Sequence, residues 1–298
     1  MRYPGTFVLA LRAALAEMHW QARRWLGNAV ECIDARGQEQ TLGLENLYRR
    51  LRREDRALWP ALIVEMLRSV PPESADAVSL NDVGDRIMLR LGPPFAPISD
   101  GKEIWFQPLV GKRLGVTLVI DHPNSMSYVT EEQIADSRQD GAAWLERAVA
   151  NLREKTPADC VKPIHDASGL RQCDVGDAYD SSRAMLLDWL LPGHSDNGFF
   201  VAVPGRDQLL VMPVAKEALG HVAWLRAVAA KTHRTVPYPI SGEIFWVRGG
   251  AWHAFVVRLE KKQVVVTPPP EFAEVLQRLA PDVCIEFSED GDPDALPD

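Results

Sequence analysis

Phe199-Phe200-Val201-Ala202-Val203, then Pro204-Gly205-Arg206-Asp207, then Leu209-Leu210-Val211-Met212 is the stretch on which the fold turns. Two apolar runs flank a Pro-Gly-Arg-Asp turn, which is the pattern of a β-hairpin. A helix containing Trp224-Leu225-Arg226-Ala227-Val228-Ala229 follows. The same order occurs roughly eighty residues earlier: Val116–Ile120, a turn at Asp121–Asn124, Ser127–Thr130, and a helix containing Trp144-Leu145-Glu146-Arg147-Ala148-Val149-Ala150. A shorter third copy runs from Ala254–Leu259 through Lys261-Lys262 and Val264–Thr267 to a helix over Pro270–Leu279. Each unit buries one sheet face under its helix and needs neighbours to complete a core. The expected fold is therefore α+β, with an antiparallel-sheet region of repeated strand–turn–strand–helix units over residues 81–287. Ile87–Leu89 and Ile104–Phe106 read as further strands, and Ser182–Leu191 as a helix.

Upstream, the pattern changes to helical spacing. Residues 4–26 read as one helix, with Pro4 near its start and Gly27 as its stop. A hairpin is expected next, Val30–Ile33 and Gln40–Leu42 around the turn Asp34-Ala35-Arg36-Gly37. Helices over 44–56 and 59–69 complete a helical N-terminal lobe, residues 1–80. Pro71-Pro72 opens a polar stretch that connects it to the sheet region.

The chain has 298 residues and a net charge of −8. Residues 288–298 hold Glu289, Asp290, Asp292, Asp294 and Asp298 and no base, so more than half of that charge sits in an acidic tail, expected to be disordered. An acidic chain is not drawn to nucleic acid or anionic membranes. Arg2 before an apolar run ending at Ala14-Leu15-Ala16 resembles a signal peptide, but Arg12 interrupts the run and the helical period continues past it. Four scattered cysteines without a C-x-x-C pair read as thiols of a cytoplasmic protein.

The common catalytic signatures are missing from the sequence. No phosphate-cradling G-x-x-x-x-G-K-[ST], no G-x-G-x-x-G and no H-E-x-x-H occurs. Gly193-His194-Ser195-Asp196-Asn197-Gly198 approaches a nucleophile elbow, yet a helix precedes it and a strand follows, the reverse of what an elbow needs. There Gly193 reads as a helix stop and Asn197-Gly198 as a turn. Cys160, His165 and Cys173 are spaced too loosely for zinc and lack a fourth ligand. Neither a metal nor a cofactor is expected.

Asp121, Asp180 and Asp207 are the candidate catalytic carboxylates, because equivalent turns of duplicated units can converge on one cleft. Against this, Asp180 reads as a helix N-cap and Asp207 as a turn-closing residue beside Arg206. The helix Leu44–Leu58 brings Arg49, Arg52, Arg53 and Arg56 within one arc, opposite Leu44, Leu47, Leu51 and Leu58, which face the core. That stripe is the first candidate contact surface and Arg206-Asp207 the second. The acidic tail after Ser288 is the expected intramolecular occupant of the stripe.

Four stretches carry a family likeness. They are Gly43-Leu44-Glu45-Asn46-Leu47-Tyr48-Arg49-Arg50, Leu114–Thr130 with Asp121 and Pro123, Tyr179-Asp180-Ser181-Ser182-Arg183, and Val201–Val211. Together, over roughly residues 40–260, they resemble the YtpQ-like bacterial family of unknown function. The resemblance implies a cytoplasmic bacterial α+β protein and transfers no mechanism. The expected function is a non-catalytic protein-interaction or adaptor module with a protein partner. A hydrolase using the clustered aspartates is the alternative, and nucleic-acid binding through the arginine helix ranks third.

Overall fold

The computed structural model describes residues 3–25, 29–37, 39–68, 78–94, 102–122, 126–194, 196–260 and 263–281. The acidic tail, and with it the idea that it covers the arginine stripe, lies outside these residues. So do Ser195 and most of the Pro71-Pro72 connection.

The N-terminal lobe runs α1 (Gly5–Glu17), β1 (Gln21–Trp25), β2 (Ala29–Ile33), β3 (Glu39–Gly43), α2 (Leu44–Leu51) and α3 (Trp59–Arg68). Its core is its own: Phe7, Leu11 and Leu15 of α1 meet Val30 and Cys32 of β2, Leu44, Leu47 and Leu51 of α2, and Trp59, Ile63 and Leu67 of α3. The β2–β3 hairpin forms as expected, with Ile33 opposite Glu39 and Gly37 in the left-handed conformation its turn requires.

Two expected helices are shorter than their patterns suggest. The first stops at Glu17, ten residues before Gly27, because His19 takes a positive φ of 57°. The amides of His19 and Trp20 then bond back to Ala16 and Leu15 carbonyls, which closes a Schellman motif without glycine. Trp20 and Leu15 are both buried there, and the fully exposed strand β1 follows. The second stops at Leu51. Asp55 accepts from the Ala57 amide at 3.0 Å and caps a separate 3₁₀ turn, Arg56–Leu58, so Leu58 is solvent-facing rather than core.

The rest is antiparallel sheet with covering helices, the α+β architecture read from the repeats. First come β4 (Ile87–Gly92), β5 (Phe106–Val110), β6 (Leu114–Asp121) and β7 (Met126–Tyr128), with β6 at the centre of a four-stranded sheet. The expected strand at Ile104–Phe106 begins only at Phe106; Ile104 makes a single bridge to Thr130. Then follow α4 (Glu131–Ala135) and α5 (Gly141–Glu154), started by a Thr130–Gln133 capping box and by Asp140.

The second sheet holds β8 (Val161–His165), β9 (Leu170–Cys173), β10 (Phe199–Gly205), β11 (Gln208–Pro213), β12 (Ile244–Arg248), β13 (Ala251–Glu260) and β14 (Gln263–Thr267). Its order is β14-β13-β12-β10-β11-β9-β8. Short helices α6 (Leu187–Leu190) and α7 (Lys216–Leu219) interrupt the chain, α8 (Val222–His233) follows β11, and α9 (Ala273–Leu279) follows β14. Every β10 residue is buried, since the sheet has a core on each face. Phe199, Val201 and Val203 join the core shared with the four-stranded sheet, whereas Phe200 and Ala202 pack under α8 with Leu225 and Ala229.

The three strand–turn–strand–helix units differ in detail. Trp144 of α5 is buried, while Trp224 of α8 is exposed and Leu225 is buried in its place. The matched Trp-Leu pairs thus sit one residue out of phase relative to their cores. No helix among the described residues is long and apolar enough to cross a membrane.

Candidate functional site

A buried polar cluster forms where β9 ends and the Tyr179–Arg183 segment begins. Its centre is Arg183, a guanidinium with no exposed surface. Nη1 and Nη2 donate to the two oxygens of Asp177, each at 2.7 Å, and Nη1 also reaches Asp180 Oδ1 at 3.1 Å. Nε donates to Thr156 Oγ1 at 3.1 Å, tying the segment to the end of α5. This fork-to-fork geometry is the strongest form of the Arg–carboxylate pair.

Asp180 stands at the N-terminal end of the 3₁₀ turn Ser181–Leu186 but does not cap it. Its carboxylate points back and accepts the amides of Val175 at 2.9 Å and Gly176 at 3.0 Å. Cys173 Sγ lies 3.6 Å from Asp180 Oδ1. The N-cap reading of Asp180 is therefore corrected: the backward-turning loop, with Gly176 and Ala178 both at positive φ, turns the carboxylate toward its own approach strand. Burial pushes the Asp180 carboxyl up, and the two amides and Arg183 act against it. Burial also raises Asp177, but the Arg183 bonds outweigh it and hold that carboxyl below its usual range.

Asp121, at the end of β6, joins the same cluster from the other sheet. It accepts from the Tyr179 hydroxyl at 3.0 Å and from Lys155 Nζ at 2.6 Å. Burial and the neighbouring Asp121 charge push the Tyr179 phenol well above its ordinary range, so it stays a donor. Asp207 is one step further away. It pairs with Arg206 at 2.9 and 3.0 Å instead of closing the turn through its own backbone, and the Arg206 guanidinium lies over the Tyr238 ring. The Arg206 carbonyl accepts the Ser181 amide, so the turn abuts the Asp180 segment.

The structure thus brings Asp121 and Asp180 into one network through Tyr179, with the Asp207 turn beside it. Each of these carboxylates already faces a cation of the same chain. Ser182 Oγ, buried one residue from Arg183, has no hydrogen-bond partner among the described residues. Cys160 and Cys173 share one buried core cluster beside the start of β8, whereas His165 stacks with His221 and Trp224 instead of joining them. Among the described residues no three His, Cys, Asp or Glu side chains group as metal ligands.

The arginine stripe is divided. Arg49 donates to the Val236 carbonyl at 3.4 Å, and Arg52 and Arg53 donate to the Thr235 carbonyl at 3.3 and 2.9 Å. These carbonyls lie just past α8, at the negative end of its dipole. Arg56 is exposed on the separate 3₁₀ turn. Three of the four arginines therefore join the lobe to the sheet region, a use that spacing alone does not reveal.

Arg183, Lys155 and Thr156 are not among the candidates that the sequence singles out. The local signal is Tyr179-Asp180-Ser181-Ser182-Arg183 itself: an Arg three residues after an Asp, with two serines between them. No protein-family model, curated protein or solved structure matches the chain.

Proposed function

We propose that the chain is a non-catalytic protein-interaction module of YtpQ-like kind, and that its docking element is the edge strand β14, which takes an extended acidic strand of a protein partner. One observation carries the reading. Val264, Val265 and Val266 are 51, 38 and 43% exposed, three in a row on the terminal strand of the seven-stranded sheet. Edge strands are ordinarily guarded by charge, proline or a bulge, because their open amides and carbonyls recruit another strand. Here the side chains on both faces are apolar, as strand addition requires.

Charge complementarity indicates the partner's character. Exposed Arg258 lies opposite Val265 in the ladder, and Lys261-Lys262 precede β14 in the sequence. An acidic residue in the incoming strand would meet the Arg258 charge. The hydrolase alternative is less favoured because Asp180 has no exposed surface and Asp121 and Asp207 each face a cation.

Panning a peptide-display library against the full chain tests the reading. Enriched peptides are expected to be β-branched and acidic, and to lose roughly tenfold or more in affinity for a Val264→Lys/Val266→Lys variant with an unchanged circular dichroism spectrum. Peptides without that pattern, or indifferent to the variant, would sink it. Turnover of an ester, phosphate or glycoside panel by the wild type but not by Asp121→Asn would establish the hydrolase instead.

A further inference from the structure

Two of the buried thiols are neighbours in a setting suited to oxidation. Cys160 immediately precedes β8, and the next residue, Val161, faces Cys173 in the ladder. Diagonal neighbours of an antiparallel pair lie roughly 6 Å apart at Cα, inside the span of about 4.4–6.8 Å that a disulfide bridges. Both thiols belong to the same buried core cluster, each is the other's main electrostatic neighbour, and neither is oxidised. Cys32 belongs to the core of the N-terminal lobe, away from this pair.

We propose that Cys160 and Cys173 form a peroxide-sensitive dithiol that closes reversibly to a disulfide and thereby resets the Asp180–Arg183 network. Exposure fixes the order of events. Cys160 keeps 6% of its surface and Cys173 none, so a small hydroperoxide meets Cys160 first. The Cys160 sulfur attacks the peroxide; an S–O bond forms, the O–O bond breaks, and the thiol proton leaves with the alcohol or water released. Cys160 is now a sulfenic acid. The Cys173 sulfur attacks it, the S–S bond forms, and the S–O bond breaks. The departing hydroxide takes the Cys173 proton, for which Asp180 Oδ1 is the adjacent acceptor at 3.6 Å, and leaves as water. Two thiols are oxidised, and one peroxide is reduced to alcohol and water.

The Arg183 guanidinium faces both thiols and favours their ionised forms. Coupling to Cys173 lowers the Cys160 thiol below its usual range and burial acts against it, while the Arg183 guanidinium adds to the lowering. The same coupling and burial push Cys173 up. Closure removes the Cys173 bond to Asp180, and Asp180 shares Arg183 with Asp177. Since the Ser181 amide bonds the Arg206 carbonyl, the change reaches the β10–β11 turn.

The experiment uses the reduced full chain, treated with hydrogen peroxide, alkylated and mapped without reductant. A loss of two hydrogens by intact mass, a single Cys160–Cys173 crosslinked peptide and full reversal by dithiothreitol are expected. Cys173→Ser should stop at a sulfenic acid that dimedone traps on Cys160, while Cys160→Ser should give neither a dimedone adduct on Cys173 nor an internal disulfide. Amide exchange over residues 175–183 should differ between the reduced and oxidised chains. No crosslink, a crosslink through Cys32 or Cys284, or one that forms only in urea overturns the proposal, and the wild-type map decides this even if a variant fails to fold.

Discussion

Arg183 and Asp177 form a two-point ion pair, Nη1 to Oδ1 and Nη2 to Oδ2, each at 2.7 Å, with the guanidinium fully buried and the carboxylate at the rim. Asp180 completes the pair from beneath with no exposure at all. A buried charge that loses its partner costs far more than the intact pair contributes.

Arg183→Met should therefore lower unfolding stability by about 3–5 kcal/mol, read from urea denaturation, because Asp180 is left buried and uncompensated. Adding Asp180→Leu should recover part of the loss only, since the Val175 and Gly176 amides then lack their acceptor.

Gly198 enters β10 at a φ of 77°, and a Cβ there would run into the Val247 carbonyl and the Trp246 indole. Gly198→Ala combines backbone strain with overlap and should cost more than about 1 kcal/mol by thermal unfolding. Gly193→Ala, where no atom lies within reach of the added methyl, should cost less at a comparable φ of 86°.

His233 sits at the end of α8, where burial, then Arg49, Arg226 and Arg234, push its imidazole below the ordinary 6.5, with Glu243 opposing. The unfolded chain then holds more protons between the two values, so stability rises with pH across that window. Urea midpoints should fall as pH drops from about 7.5 to about 5, and His233→Gln should flatten that part of the profile.

Arg49, Arg52 and Arg53 join the N-terminal lobe to the Thr235 and Val236 carbonyls. Replacing all three by alanine should weaken that junction by on the order of 1–2 kcal/mol, as expected for a few partly exposed charge-assisted bonds. Hydrogen exchange should accelerate in α1–α3 and stay unchanged in β10 and β11. An unchanged α1–α3 would show that the lobe holds its place without the guanidinium groups.

Local pattern carried much of the architecture. The Phe199–Met212 hairpin was legible because a sheet with a core on both faces needs unbroken apolar runs on either side of its turn. The hairpin around Gly37 was legible because its turn needs a residue that tolerates positive φ. Helix ends were harder. His19 closes α1 in a conformation usually left to glycine, and it does so because Trp20 and Leu15 find cover in the lobe core. Asp55 splits the arginine helix because Trp59 must turn inward, with its Nε1 bonding the Glu54 carbonyl.

The candidate site divides along the same line. The sequence by itself determined the α+β class, the strands and turns that carry Asp121 and Asp207, and the acidic excess at the C-terminus, since each follows from side-chain period or composition within a few residues. Only the tertiary structure decided what those residues face. Arg183 reaches Asp177, Asp180 and Thr156, Asp121 arrives from another sheet, Cys160 and Cys173 share one core cluster, and Arg49, Arg52 and Arg53 end on carbonyls just past α8. Burial and partner charge act through space across dozens of residues, and periodicity along the chain carries no record of them.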